Sequence, residues 1–226
     1  YYSLNYELLN IDNAFIVEIA SGLTPRSLNF IGRKDIVYVE TELSELIKIK
    51  EKILKDIIIK NNLKDKNLLF MSLNPLNKED MDKIGKLYEE KGRGKRMVII
   101  HEGLLMYFDR NEKTIFRNNI CYLFEKYAKD GLWLTSDLSR IKRKDTQIKG
   151  GENIRDKISK VTNRDFYYFD SEEETNNFLI EGGFNFEVIS NIEPISKLID
   201  KKSLQSNKTA ILELAKNYQI WRIKLL

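Results

Sequence analysis

Cysteine, histidine and long apolar runs are what this sequence has least of, and each shortage excludes something. Cys121 is the only cysteine, so no disulfide forms within the chain and no CxxC redox or metal pair exists. A single thiol without a visible export signal fits a reducing, cytoplasmic setting. Cys121 lies in an apolar helical pattern with Ile120, Leu123 and Phe124, which predicts a small core side chain. No apolar run approaches the roughly 18 to 20 residues needed to cross a bilayer, so no membrane partner is expected. Charge of one sign is also scarce: 38 Lys and Arg stand against 34 Asp and Glu, a net charge of +4. Basic clusters such as Arg93-Gly94-Lys95-Arg96 and Lys142-Arg143-Lys144 are interrupted by acids and read as solvated faces. No aromatic-basic recognition motif accompanies them, so nucleic acid is not the expected partner.

What is present suits one α/β domain spanning residues 1–226, with 42% hydrophobic residues to build a core. Phe15 to Ala20 is a short apolar run ending in small residues, as expected of a buried parallel strand. A short helix is predicted around Pro25 to Phe30, and a second strand over Ile36 to Val39. Leu46, Ile47, Ile53, Leu54, Ile57 and Ile58 recur at helical spacing, and Asn61-Asn62 supplies a stop signal. The alternation continues with a strand at 67–73, a helix from the cap Asn77 through Glu90, a strand at 97–100, a helix at 112–129 and a strand at 132–137. That order predicts a mostly parallel sheet with helices on both faces. Two stretches depart from it. Residues 140–165 are polar, contain Gly150-Gly151, and read equally as a lid or a surface excursion. Residues 191–217 form a polar insertion between two strand-like runs, 184–190 and 218–225.

In such a sheet, ligands bind beyond the carboxyl ends of the strands, near the switch in strand order. The tips carry a non-random set of residues. Ala20-Ser21-Gly22 follow the first strand and allow close approach to the backbone. Glu40 and Glu42 follow the second, spaced to face one side, where an acid can accept hydrogen bonds from both ribose hydroxyls of a nucleoside. Ser72-Leu73 follow the third strand, and His101-Glu102-Gly103 the fourth. Each has an ordinary structural alternative, a turn glycine or a helix-entry acid. Together they point to a nucleoside cofactor.

The glycine fingerprint of a dinucleotide site needs glycine at 20, 22 and 25, and only Gly22 is present. A Walker-type phosphate loop is missing too. Acids without a phosphate cradle suit S-adenosylmethionine (SAM), a sulfonium without phosphate.

Phe15-Ile-Val-Glu-Ile-Ala-Ser-Gly-Leu-Thr-Pro-Arg26 resembles the first motif of the leucine carboxyl methyltransferase and TcmP-like O-methyltransferase family. Tyr38-Val-Glu-Thr-Glu-Leu43 is similar to the second motif, and His101-Glu-Gly-Leu-Leu-Met-Tyr-Phe108 to the fourth. The resemblance implies a Rossmann-like class I methyltransferase fold with an antiparallel strand near the C-terminus, and SAM as cofactor. It implies that Glu18, Ala20, Ser21 and Gly22 belong to the cofactor motif, Ala20 standing where the family usually has glycine. Glu42 takes the ribose-binding position, with Glu40 a neighbouring acid. Ser72 and Leu73 flank the adenine, and Glu102 lies near the cofactor's ammonium. The family's basic residues for the SAM carboxylate precede the first motif, before Tyr1 in this numbering.

His101, the only histidine, is a candidate general base for a hydroxyl acceptor, with a structural role as the alternative. Tyr107 is a candidate for the acceptor pocket or for catalysis, and Arg26 for anchoring an anionic group. The expected activity is methyl transfer to a carboxylate or hydroxyl of a small molecule or protein. A non-catalytic partner-binding module of the same fold is the rival. An RNA methyltransferase would bind RNA in a strongly salt-dependent way through the Lys142 region. Fold alone does not decide the acceptor.

Overall fold

Alternation of apolar side chains along the central strands makes two cores, one on each face of a seven-stranded sheet. The computed structural model describes residues 2–64, 66–138, 165–190 and 219–226. Phe15, Val17, Val37, Val39, Met97 and Ile99 point to one face, while Ala14, Ile16, Ile36, Tyr38, Val98 and Ile100 point to the other. This is the period-two pattern of strands buried on both sides.

The strands are β1 (Ala14–Glu18), β2 (Ile36–Glu42), β3 (Leu68–Ser72), β4 (Arg96–His101), β5 (Leu132–Thr135), β6 (Phe184–Ser190) and β7 (Gln219–Leu225). Their order across the sheet is β3-β2-β1-β4-β5-β7-β6. β1 to β5 pair in parallel, and β7 runs antiparallel to both β5 and β6. The direction of winding switches between β1 and β4, which fixes where a ligand crevice opens.

Helices cover both faces. α1 (Tyr2–Leu9) and the 3₁₀ turn Arg26–Phe30 send Leu4, Leu8 and Phe30 into one core. α2 (Ser44–Lys60) buries Ile47, Lys50, Leu54 and Ile58. α3 (Lys78–Leu87), α4 (Arg110–Tyr127) and α5 (Glu172–Ile180) fill the other core with Met81, Ile84, Phe116, Ile120, Phe124 and Leu179. Asn77 caps α3 as expected, its side chain accepting from Asp80 N at 2.9 Å. Asp109 and Glu112 form a reciprocal capping box at the start of α4.

Three local readings are corrected. The first strand ends at Glu18, because Ala20 has left-handed backbone (φ +51°) that no strand continues through. The helix expected from Pro25 is a 3₁₀ turn. The helix expected through Glu90 gives way at Tyr88 to a π turn ending at Gly92. Cys121 is half-buried, packed at the edge of the core. The 140–165 excursion (Asp165 apart) and the 191–217 insertion lie outside the described residues. Among the described residues, no helix is long and apolar enough to cross a membrane, and no cluster of three or more His, Cys, Asp or Glu is placed to hold a metal ion.

Candidate functional site at the strand tips

The tips of β1 and β2 are tied together by the backbone that links them. Ser21 N donates to Thr41 O at 2.9 Å, and the Thr41 hydroxyl donates to Glu18 O at 2.9 Å. Gly22 N donates to the Glu42 carboxylate at 3.1 Å, and Leu43 N reaches its other oxygen at 2.8 Å. Glu42 is half-buried, and each carboxylate oxygen keeps acceptor capacity beyond these bonds. On the far side, Leu73 N donates to Glu42 O at 2.9 Å; Leu73 is buried and Ser72 exposed. Ala20, Ser21, Gly22, Glu42, Ser72 and Leu73 therefore share one end of the sheet, as their strand positions predict.

Ala20 and Gly22 both stand at φ +51°. Glycine adopts this conformation without steric cost, whereas alanine pays roughly 1 kcal/mol. Ala20→Gly is accordingly expected to raise stability by up to about 1 kcal/mol, or about 2–4 °C in melting temperature. Thermal unfolding measures this, and a drop in melting temperature would contradict the strain.

Glu40 parts company with Glu42. It is fully buried, bonded to Lys50 Nζ at 2.5 Å, and Lys50 also donates to Ser21 O at 3.1 Å. The expected pair of tip acids is thus one tip acid and one buried ion-pair member that braces the β1 turn against α2.

At the switch between β1 and β4 lies a charged bridge that the sequence does not announce. Arg26 is fully buried; its guanidinium donates to Asn5 Oδ1 at 2.6 Å and makes close ion pairs with Glu18 and Glu102. Tyr38 OH donates to the other Glu18 oxygen at 2.7 Å. Arg26, a candidate anchor for an anionic ligand group, instead spends its guanidinium on Asn5, Glu18 and Glu102. It is a strut between the two central strand tips, while the Glu102 side chain keeps 28% exposure beside them.

Burial pushes the Glu18 carboxyl up to about 7, with Glu40 adding to the rise while Arg26 opposes the burial. A carboxyl raised in the fold contributes stability that is complete below its ordinary value near 4.5 and is lost as pH climbs through 7. The unfolding free energy is expected to fall by a few kcal/mol, on the order of 3, between pH 4.5 and pH 8. Urea denaturation across that range should show the decline, and Glu18→Gln should flatten it. An unchanged slope in the variant would place the titration elsewhere.

His101 ends β4 fully buried, with both ring nitrogens engaged. Trp133 Nε1 donates to Nε2 at 2.9 Å, which leaves the proton on Nδ1, 2.9 Å from Asp137 Oδ2. Phe116 packs edge-on against the ring. Asp137 also accepts from the backbone N–H groups of Gly103 at 2.6 Å, Leu104 at 2.7 Å and Leu105 at 3.0 Å. Burial alone would raise this carboxyl, yet the His101 and backbone hydrogen bonds outweigh it and hold it below its usual range. In this geometry His101 has no lone pair open to an acceptor's proton. Its bonds fix the loop after β4.

Tyr107 closes the 3₁₀ turn Leu105–Tyr107 of that loop. Its ring meets Phe166 at 5.3 Å, and Tyr167 N donates to Met106 O at 2.9 Å. Phe166 and Tyr168 stack, and both line a cavity of about 730 Å³ bounded by Lys113 and Glu174. Asn5, Tyr38, Lys50, Trp133 and Asp137 all shape the site and were not singled out in the sequence. Only Asp137 carried a signal, being the acid that ends the strand expected over 132–137.

In comparisons with known proteins, no family model matches the chain and no curated protein matches it. Solved structures do. The methyltransferase domain of bacterial CtHen1-CN aligns over 100% of this chain and 98% of its own, with TM-score 0.60 and 11% identity. An O-methyltransferase family protein from Burkholderia thailandensis aligns over 94% of this chain and 51% of its own, with TM-score 0.54 and 11% identity. A geranyl diphosphate methyltransferase in complex with SAM aligns over 97% and 80%, with TM-score 0.53 and 12% identity. The chain thus spans about half the length of the Burkholderia protein. With the strand order above, these likenesses define the Rossmann-like class I methyltransferase fold.

Proposed function

We propose that this chain is a SAM-dependent methyltransferase domain acting on oxygen, with a carboxylate of a small molecule or protein as the favoured acceptor. The observation that carries the reading is the Glu42 carboxylate, held against the left-handed Gly22 turn at the tips of β2 and β1. The residues fit the cofactor. Among the described residues beyond its chain neighbours, nothing lies within 4 Å of the position a Gly22 Cβ would take, so the turn is open to a close ligand. Glu42 would hold the ribose hydroxyls, Ser72 and Leu73 would flank the adenine, and Glu102 would face the ammonium. Glu18 and Arg26 would brace this wall from beneath.

When bound, SAM supplies an electrophilic methyl group on a sulfonium. The chain's own task is to align the acceptor and exclude water. A carboxylate acceptor is already ionised near neutral pH and needs no base, which agrees with His101 being spent on Trp133 and Asp137. His101 is then a positioning residue. Tyr107, with Phe166 and Tyr168, would border the acceptor's approach.

One feature favours a second reading. The Arg26 bridge ties the β1 and β4 tips across the ground where the methionine part of SAM would lie. A partner-binding module of the same fold would keep that bridge shut. Calorimetric titration of the chain with SAM separates the two. Saturable one-to-one binding in the range typical of enzyme substrates, about 1 μM to 1 mM, supports the enzyme. No heat of binding at millimolar SAM would support the scaffold.

A further inference from the structure

A second cavity, of about 350 Å³, lies at the opposite end of the strands from the site above. Ile36 and Leu68 open β2 and β3 and help form it. The tip residue Glu42 lies six residues along β2, roughly 20 Å away. We propose that this cavity binds a small amphipathic anion, a carboxylate on an apolar body about the size of an eight-carbon chain.

Three features of the walls suit such a ligand. The floor is apolar, formed by Phe30, Ile36, Tyr38 and Leu68. Phe30 and Tyr38 meet there at a tilt of 31° with ring centroids 5.2 Å apart, and the volume is at the lower end of small-molecule sites. The rim is cationic. Lys34, Lys64 and Lys66 line it, none forms an ion pair with a described residue, and no carboxylate is among the described residues that line the cavity. Arg33 is different, since Asp12 and Asp35 already pair with it. Three ammonium groups without an ion-pair partner among the described residues, set above an apolar floor, attract a ligand that carries both a negative head and a hydrophobic body.

The third feature is an unspent hydrogen-bonding group. Ser27 belongs to the cavity wall, is 1% exposed, and its Oγ has no hydrogen-bond partner among the described residues. A buried hydroxyl left unpaired costs free energy, so the wall retains polar capacity that an apolar-only groove would lack. Ser27 also follows Arg26 directly, and Tyr38 donates to Glu18. The cavity wall is therefore continuous with the bridge beneath the strand tips.

The test uses the whole chain and octanoate as the probe, with calorimetry as the readout. Saturable one-to-one binding is expected, at least about tenfold tighter than 1-octanol, which lacks the charge, and than acetate, which lacks the body. The double variant Lys64→Glu, Lys66→Glu changes two exposed side chains and should keep its melting temperature while losing octanoate affinity about tenfold or more. Saturating S-adenosylhomocysteine should leave octanoate binding unchanged. Absence of saturable binding would overturn the proposal. Equal affinity for 1-octanol, indifference to the charge reversals, or displacement by S-adenosylhomocysteine would do the same.

Discussion

Asp137→Ala is expected to destabilise the protein by about 3–5 kcal/mol. The Asp137 carboxylate accepts from three consecutive backbone N–H groups, of Gly103, Leu104 and Leu105, and from His101 Nδ1. Its side chain is only 7% exposed, so water does not replace those bonds freely. Removing it leaves four donors without their acceptor in a poorly solvated place, which is where large mutational losses arise. The melting temperature should fall by about 6–20 °C. Asp137→Asn keeps one acceptor oxygen and should recover part of the loss. A change below about 1 kcal/mol in urea denaturation would mean that the loop after β4 is held by something else.

Glu42→Ala is expected to weaken S-adenosylhomocysteine binding about a hundredfold while leaving stability nearly unchanged. Two hydrogen bonds from ribose hydroxyls to a charged acceptor contribute roughly 1.5 kcal/mol each, together about two decades in affinity. The native partners of Glu42 are the N–H groups of Gly22 and Leu43 at the half-open strand tip, where water takes over when the carboxylate is gone. Glu42→Asp should fall between the two. The contrast with Glu40 sharpens the test. Glu40→Ala strands Lys50 in a buried place and should reduce stability, whereas Glu42→Ala should reduce binding. If both variants bound the nucleoside like the parent, the ribose assignment would be wrong.

The strands and their tips were legible because they are written in short windows. Phe15 to Ala20, Ile36 to Val39 and Met97 to Ile100 are apolar runs of strand length, and counting past their ends leads to Gly22, Glu42 and Glu102. The capping signal at Asn77 is equally local, three residues from its donor Asp80. What stayed hidden depends on partners far apart in the chain. Arg26 finds Glu102 across 76 residues, and His101 finds Asp137 across 36. Nothing in the neighbourhood of Arg26 or His101 states whether the side chain will be exposed or walled in, so one reads as a candidate anchor for an anionic group and the other as a candidate base. Ala20 escaped for another reason: a left-handed alanine is disfavoured, and the surrounding tip bonds over-determine it. Glu40 and Glu42 share a strand face by parity, yet Lys50 on α2 covers one and leaves the other open.

The most direct test of the account is a crystal structure of the chain with S-adenosylhomocysteine. The account predicts the ribose on the Glu42 carboxylate, the adenine against Leu73 and the amino-acid part over Ala20 and Gly22. A nucleoside bound away from the β1 and β2 tips, or none bound at saturating concentration, would contradict it.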